Sequence, residues 1–129
     1  MIFVDSSFFI AVANDKDQWH AKAKEVAKTL PEEKIVTELI LAESVTSVGA
    51  LSGGKAGIKV YNYIIEACEV AFVDRKLFDR AAEIYLKYDG ALSLTDAVSI
   101  EVMSEKGIKE IVSFDSDFDK VKGIVRIGK

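Results

Sequence analysis

The sequence predicts an α/β protein, a mostly parallel sheet covered by helices on both faces. Two patterns lead there. Short apolar runs read as strands, and helix-length segments with one apolar side separate them, so each strand is followed by a crossover rather than a hairpin. The third observation is content: half of the 129 residues are hydrophobic and the aromatics are spread along the chain, enough for a buried core without disulfide support. Residues 1–129 are therefore expected to form a single domain.

Residues 2–5 form a short buried strand and residues 6–14 a small apolar helix. Asp17 caps an amphipathic helix through Leu30, with Trp19, Ala23, Val26, Ala27 and Leu30 on one side, and Pro31 stops it. Residues 34–37 are the second strand and residues 38–51 the next helix. Ser52, Gly53 and Gly54 turn the chain into a further helix expected to face Ile58, Tyr61, Ile64 and Ile65 inward. Residues 69–73 are the third strand, and Asp74 caps a helix to about Tyr88. Asp89 and Gly90 make a turn, residues 94–106 form the last long helix, and Gly107 ends it. Residues 110–114 and 124–127 supply the fourth and fifth strands.

Composition narrows the chemistry. A net charge of -4 argues against a generic nucleic-acid coat, which needs a basic surface for phosphates, yet leaves room for an enzyme whose acids hold a cation. The lone Cys68 excludes an internal disulfide and any cysteine-based zinc site, and the lone His20 leaves oxygen as the plentiful ligand type. Met1 runs directly into the first strand with no basic, apolar leader, and no apolar run is long enough to span a bilayer, so a soluble, cytoplasmic protein is expected, with no membrane association.

Four acids are expected where strand ends and helix starts meet, Asp5, Glu43, Asp96 and Asp115, with Asp117 two residues on. Asp5 closes the run Ile2-Phe3-Val4 and Asp115 closes Ile111-Val112-Ser113-Phe114, which puts both at the carboxyl edge of a parallel sheet, where ligands bind. Carboxylates gathered there repel one another unless a cation neutralises them. Each acid also has a structural alternative. Asp5 could cap the first helix; Glu43 could sit on a solvated face, although Thr46, Ser47 and Ala50 beside it suit a cleft wall. Ser93-Leu94-Thr95-Asp96 reads as a capping box, with Leu92 and Ala97 as a weak staple. Asp115, Asp117 and Asp119 could form Asx-turns. Their spacing imitates an EF-hand loop, but Lys120 stands where Gly is needed and Arg126 where Glu is needed. The segment Gly49 to Lys55 imitates a P-loop, but Ala56 lacks the required hydroxyl and a helix precedes it. Lys55 and Lys59, one helical turn apart, are candidate phosphate contacts or merely a solvated face.

Taken together, Ile2-Phe3-Val4-Asp5-Ser6-Ser7, Leu41-Ala42-Glu43, Leu92-Ser93-Leu94-Thr95-Asp96-Ala97 and Val112-Ser113-Phe114-Asp115-Ser116-Asp117-Phe118 resemble the motifs of PIN-domain ribonucleases, especially small VapC-type toxins. The resemblance spans the whole chain. It implies a three-layer α/β/α fold with a five-stranded parallel sheet ordered 3-2-1-4-5. It also implies that Asp5, Glu43, Asp96 and Asp115 are the catalytic acids, with Asp5, Asp96 and Asp115 as the main ligands of Mg²⁺ or Mn²⁺ and Asp117 as a nearby or water-mediated one. Glu43 would bind through water or position the attacking water, and Ser6 would hydrogen-bond an acid. The expected reaction is metal-dependent hydrolysis of RNA phosphodiesters, since an all-oxygen ligand set suits these ions. A VapB-type antitoxin and a homodimer are expected partners. The dimer rests partly on Phe8, Phe9, Ile10, Val12 and Trp19, more apolar surface than one small sheet face needs. Two alternatives stand beside this reading: a PIN nuclease of RNA processing that is not a toxin, and a noncatalytic receiver-like α/β binding module. The receiver is disfavoured because the first strand ends in a single acid and Ser113, not Lys, ends the fourth.

Overall fold

The computed structural model describes every residue from Met1 to Lys129. Five strands, β1 (Ile2–Val4), β2 (Lys34–Thr37), β3 (Glu69–Ala71), β4 (Glu110–Val112) and β5 (Val125–Ile127), pair in parallel throughout, in the order β3-β2-β1-β4-β5. Helices α1 (Ser6–Ala13) and α2 (His20–Ala27) join β1 to β2; α3 (Glu38–Ser52) and α4 (Gly54–Ala67) join β2 to β3; α5 (Arg75–Lys87) and α6 (Leu94–Lys106) join β3 to β4. This is the architecture and strand order that the resemblance implies. It rules out the receiver-like alternative, whose sheet runs 2-1-3-4-5.

The order of travel decides the layers. Parallel crossovers are right-handed, so the direction of each step along the sheet fixes the face its helices cover. The chain steps from β1 to β2 to β3, then returns past β1 to β4, which puts α1 to α4 on one face and α5 with α6 on the other. That reversal lies between β1 and β4. Loops leaving the two strands there diverge to opposite faces and open a crevice at the carboxyl edge. Asp5 follows β1 and Asp115 lies just beyond β4, so the crevice is flanked by carboxylates. Below it, Phe3, Val4, Ile111 and Val112 have no exposed surface, each burial contributing roughly 1.5–3 kcal/mol and keeping the central strands rigid.

Three sequence expectations change. Asp17 does not cap α2 directly; its Oδ1 accepts from Trp19 N–H at 2.7 Å and its carbonyl from His20 N–H, so the chain makes a turn first and the helix begins at His20. On α4 the inward side carries Gly57, Val60 and Ile64, whereas Ile58, Tyr61 and Ile65 are exposed. The cause is close helix crossing: a Cβ on Gly57 would lie 3.0 Å from the Val45 carbonyl oxygen on α3, so the glycine must face α3 and turns its apolar neighbours outward. Finally, Phe8 and Phe9 belong to the core, where their rings meet edge to face at 5.6 Å. Much of the expected apolar surplus is thus consumed within the chain, although Val12 and Trp19 stay partly exposed, and the larger exposed stripe lies on α4.

Candidate active site

Asp5 occupies the N-cap position of α1 but makes no capping bond. Its Oδ2 accepts hydrogen bonds from Ser7 Oγ and Ser113 Oγ, both at 2.8 Å. The same hydroxyls accept in turn from the backbone leaving β4: Ser7 Oγ from Phe114 N–H and Ser113 Oγ from Asp115 N–H, both at 3.0 Å. Two serines therefore bolt the β1 exit to the β4 exit across the switch point. Asp5 is almost completely buried, and burial pushes its pKa up, with the charge of Glu43 adding to the rise while the hydrogen bonds from Ser7 and Ser113 oppose it.

Glu43 lies on α3, and its Oε1 accepts from Ser6 Oγ at 3.0 Å, which fixes the carboxylate to the first turn of α1. Asp96 completes the capping box at the start of α6: its backbone N–H donates to Ser93 Oγ at 3.0 Å and its Oδ2 accepts from Ser93 N–H at 3.2 Å. Leu92 and Ala97 flank the box as two fully buried apolar groups. The cap does not take Asp96 away from the acids. Its pKa rises to about 6, first through burial and then through the charges of Asp5 and, more weakly, Asp115, against the lowering effect of Ser93. Asp115 Oδ1 accepts from Asp117 N–H at 2.9 Å as an Asx-turn that opens a 3-10 turn, Ser116–Lys120. Asp117 Oδ1 holds Lys120 Nζ at 2.8 Å.

All five carboxylates, Asp5, Glu43, Asp96, Asp115 and Asp117, line one cleft of about 370 Å³, together with Ser6, Ser7, Ser93 and Ile10. Lys55 and Lys59 do not. Lys59 lines a separate, mostly apolar groove with Phe9, Val12, Val60 and Tyr63, and Lys55 is exposed at the start of α4. The separation of the two sites follows from α4 lying against α3 rather than over the sheet edge, so any phosphate these lysines meet would lie outside the acidic cleft. His20 is likewise structural, its Nδ1 donating to Ala11 O at 2.7 Å.

The far strand closes the site from behind. Ser113 N–H donates to Ile127 O at 3.0 Å, and Arg126 Nη1 donates to Ser113 O at 3.1 Å while its Nε and Nη2 grip the Asp119 carboxylate at 3.0 and 2.9 Å. Gly128 follows at a φ of 128°, and any side chain there would collide with the Ser113 carbonyl and the Phe114 ring.

Residues 2–124 match the PIN domain. The chain belongs to the PIN-domain family. Among other PIN-domain proteins, the 23S rRNA-specific endonuclease VapC20 of Mycobacterium tuberculosis is 32% identical over 120 residues, 92% of each chain. The crystal structure of Mycobacterium tuberculosis VapC20, a sarcin-ricin-loop-cleaving toxin, superposes with a TM-score of 0.90 at 29% identity, covering 98% of both chains. A toxin-antitoxin complex from Klebsiella pneumoniae shares the fold at a TM-score of 0.74 and 13% identity, over 97% of this chain and 96% of that one.

In this PIN domain the donor set fits a hard divalent cation. Every candidate ligand is a carboxylate oxygen, the type Mg²⁺ and Mn²⁺ prefer, and mutual repulsion is felt at Asp5 and Asp96. The acids are not drawn into a finished cage: no three His, Cys, Asp or Glu side chains converge with metal-holding geometry. They stand around the rim, each tied on one side to a serine, a backbone N–H or a lysine. Sequence reasoning missed Ser7 and Ser113 as the bolts of the site. The signal available was a serine inside an apolar strand run, because a buried hydroxyl requires a partner.

Proposed function

We propose that this PIN domain is an endoribonuclease that needs Mg²⁺ or Mn²⁺ and serves as the toxin of a VapBC-type toxin-antitoxin pair. The observation that carries the reading is the cleft of five carboxylates at the switch point, in a chain 32% identical to a 23S rRNA-specific endonuclease. Asp5, Asp96 and Asp115 would hold the cation as main ligands, with Asp117 contributing once it releases Lys120, and Glu43 positioning the attacking water. Bound there, the cation supplies neutralisation of the scissile phosphate and acidification of a water molecule. The chain supplies orientation. Ser7 and Ser113 fix the Asp5 carboxylate, Ser6 fixes Glu43, and the capping box fixes Asp96, so the ligands lose little freedom on binding. Asp96 must be ionised to act as a ligand, so cation binding releases a proton wherever the free site holds one.

Partner proposals follow from the same reading. RNA is the substrate, and a VapB-type antitoxin segment is the inhibitor. A homodimer is the expected assembly, and the exposed residues Ile58, Tyr61 and Ile65 of α4 are apolar surface that a partner would cover. No helix is long and apolar enough to cross a membrane.

The test is cleavage of ribosomal RNA by the purified chain with Mg²⁺ or Mn²⁺, and with excess chelator. Cleavage at a defined loop that stops on chelation is the expected result. Chelator-resistant cleavage that copurifies with the chain would overturn the metal mechanism, and metal-dependent cleavage confined to precursor RNAs would favour an RNA-processing nuclease over a toxin.

A further inference from the structure

We propose that Trp19 and Phe114 form a stacking platform for a nucleobase of the RNA strand that enters the acidic cleft. The proposal rests on the nuclease reading above. Phe114 lies between Ser113, which holds Asp5, and Asp115, which lines the cleft, and its own N–H is held by the Ser7 hydroxyl that also holds Asp5. The Trp19 ring lies flat against the Phe114 ring, with centroids 5.5 Å apart and planes 5° from parallel. Phe114 is 8% exposed and Trp19 is 37% exposed, so the phenyl ring is the backing and the indole is the open member of the pair.

The backbone that carries the indole is also held in place before any ligand arrives, and the ring itself is backed by Phe114. Trp19 N–H donates to Asp17 Oδ1 at 2.7 Å, the Trp19 carbonyl accepts from Ala23 N–H at 2.8 Å, and His20 beside it is tied to Ala11 at the end of α1. A fixed, flat aromatic surface costs little ordering entropy on binding. Unstacked bases of single-stranded and loop RNA stack on such surfaces with little regard for base identity. Charge gives a further reason. The chain carries a net charge of -4 and Lys55 and Lys59 do not line the acidic cleft, so an uncharged stacking contact supplies binding that the cleft's own sign opposes.

Trp19 is the only tryptophan in the chain, so its fluorescence reports on this position alone. The Asp96→Asn variant is titrated in Mg²⁺ with a uridine oligoribonucleotide and with an abasic phosphodiester of the same length. Saturable quenching by the oligoribonucleotide and not by the abasic strand is expected; equal responses, or none, overturn the platform. In the otherwise wild-type enzyme, Trp19→Ala and Trp19→Leu are each expected to raise KM for a cleavable RNA by about tenfold with kcat nearly unchanged, and Trp19→Phe to restore most of the loss. The leucine variant keeps apolar packing on Phe114 without a π face. A wild-type KM in Trp19→Leu, with its melting temperature retained, would make the pair a packing contact and overturn the proposal. If the wild-type chain cleaves no RNA at all, the nuclease reading falls, and the quenching comparison still decides the stack.

Discussion

Ser113 joins the two acids that flank the switch point, donating to Asp5 Oδ2 and accepting from Asp115 N–H. In Ser113→Ala the Asp5 carboxylate keeps only Ser7 as a side-chain donor, and the Asp115 N–H loses its partner. The expected outcome is a loss of Mn²⁺ affinity of about 10- to 100-fold, read from the metal dependence of thermal melting. Unchanged affinity would show that Ser7 alone orients Asp5. Asp96 tests a different point, because its carboxylate serves a capping box and faces other acids at the same time. In Asp96→Asn the amide oxygen can still accept from Ser93 N–H, while the repulsion with Asp5 and Asp115 disappears. Without metal the variant is expected to melt at the same temperature or higher; its stabilisation by Mn²⁺ should shrink sharply and RNA cleavage should fall by more than about a hundredfold. A metal-independent loss of about 1 kcal/mol with the Mn²⁺ response intact would make Asp96 a cap and nothing more.

The contact between α3 and α4 is set by glycine. Gly57→Ala puts a methyl 3.0 Å from the Val45 carbonyl oxygen, so the two helices must part, and a loss of about 1–3 kcal/mol is expected by denaturant unfolding. Gly49→Ala is its control. Nothing lies within 4 Å of a Cβ there, and helix propensity should stabilise the protein by about 0.5–1 kcal/mol. A neutral Gly57→Ala would show that the crossing has slack. The same contact explains what the sequence concealed about α4. Ile58, Tyr61, Ile64 and Ile65 mark an apolar side by periodicity, but periodicity does not weigh a glycine, and the closest approach of two helices is where a missing side chain matters most. Elsewhere the reading was secure for a physical reason. The inner strands β1, β2 and β4 are short runs with mostly buried residues, and the helical crossovers each have an apolar side, so element types and order were legible. Strand ends were less so: β4 stops at Val112 rather than Phe114 because the next amides leave the ladder, Phe114 N–H for Ser7 Oγ and Asp115 N–H for Ser113 Oγ, and the first of these is a long-range demand that no local pattern announces. Asp5, Asp96, Asp115 and Asp117 were legible as candidates because they lie at strand ends or helix starts, Glu43 because small polar residues neighbour it on its helix, and all five line one cleft. Lys55 and Lys59 lie outside that cleft, which the sequence could not show, since a spacing of one helical turn says which side they share, not what that side faces.

Across the whole molecule, stability and the proposed metal binding are linked through protons. Asp96 titrates near 3.8 in the unfolded chain and about 6 in the folded one, and Asp5 moves in the same direction. A folded acid with a raised pKa binds protons more readily than the unfolded one, so this contribution favours folding at low pH and is lost as pH rises through about 6. Asp119, whose pKa is lowered chiefly by the hydrogen bond from Arg126, acts oppositely, and only as pH falls below its ordinary value of 3.8. In chelator, the melting temperature is therefore expected to rise as pH is lowered from 7 towards 5, and Asp96→Asn to flatten that rise. With Mn²⁺ the added stabilisation should shrink over the same interval, because the cation requires ionised ligands. A wild-type slope equal to that of Asp96→Asn in chelator would show that Asp96 has an ordinary pKa. The hold of β5 on Ser113 adds a consequence of a different kind. The earliest strand provides Asp5, and the segment from Arg126 to Gly128 secures the serine on which Asp5 depends. During synthesis, a nascent chain can fold much of the sheet while its cutting edge is still unfinished, and the Asp5 carboxylate gains its full set of supports only after residues 126–128 have emerged from the ribosome and docked.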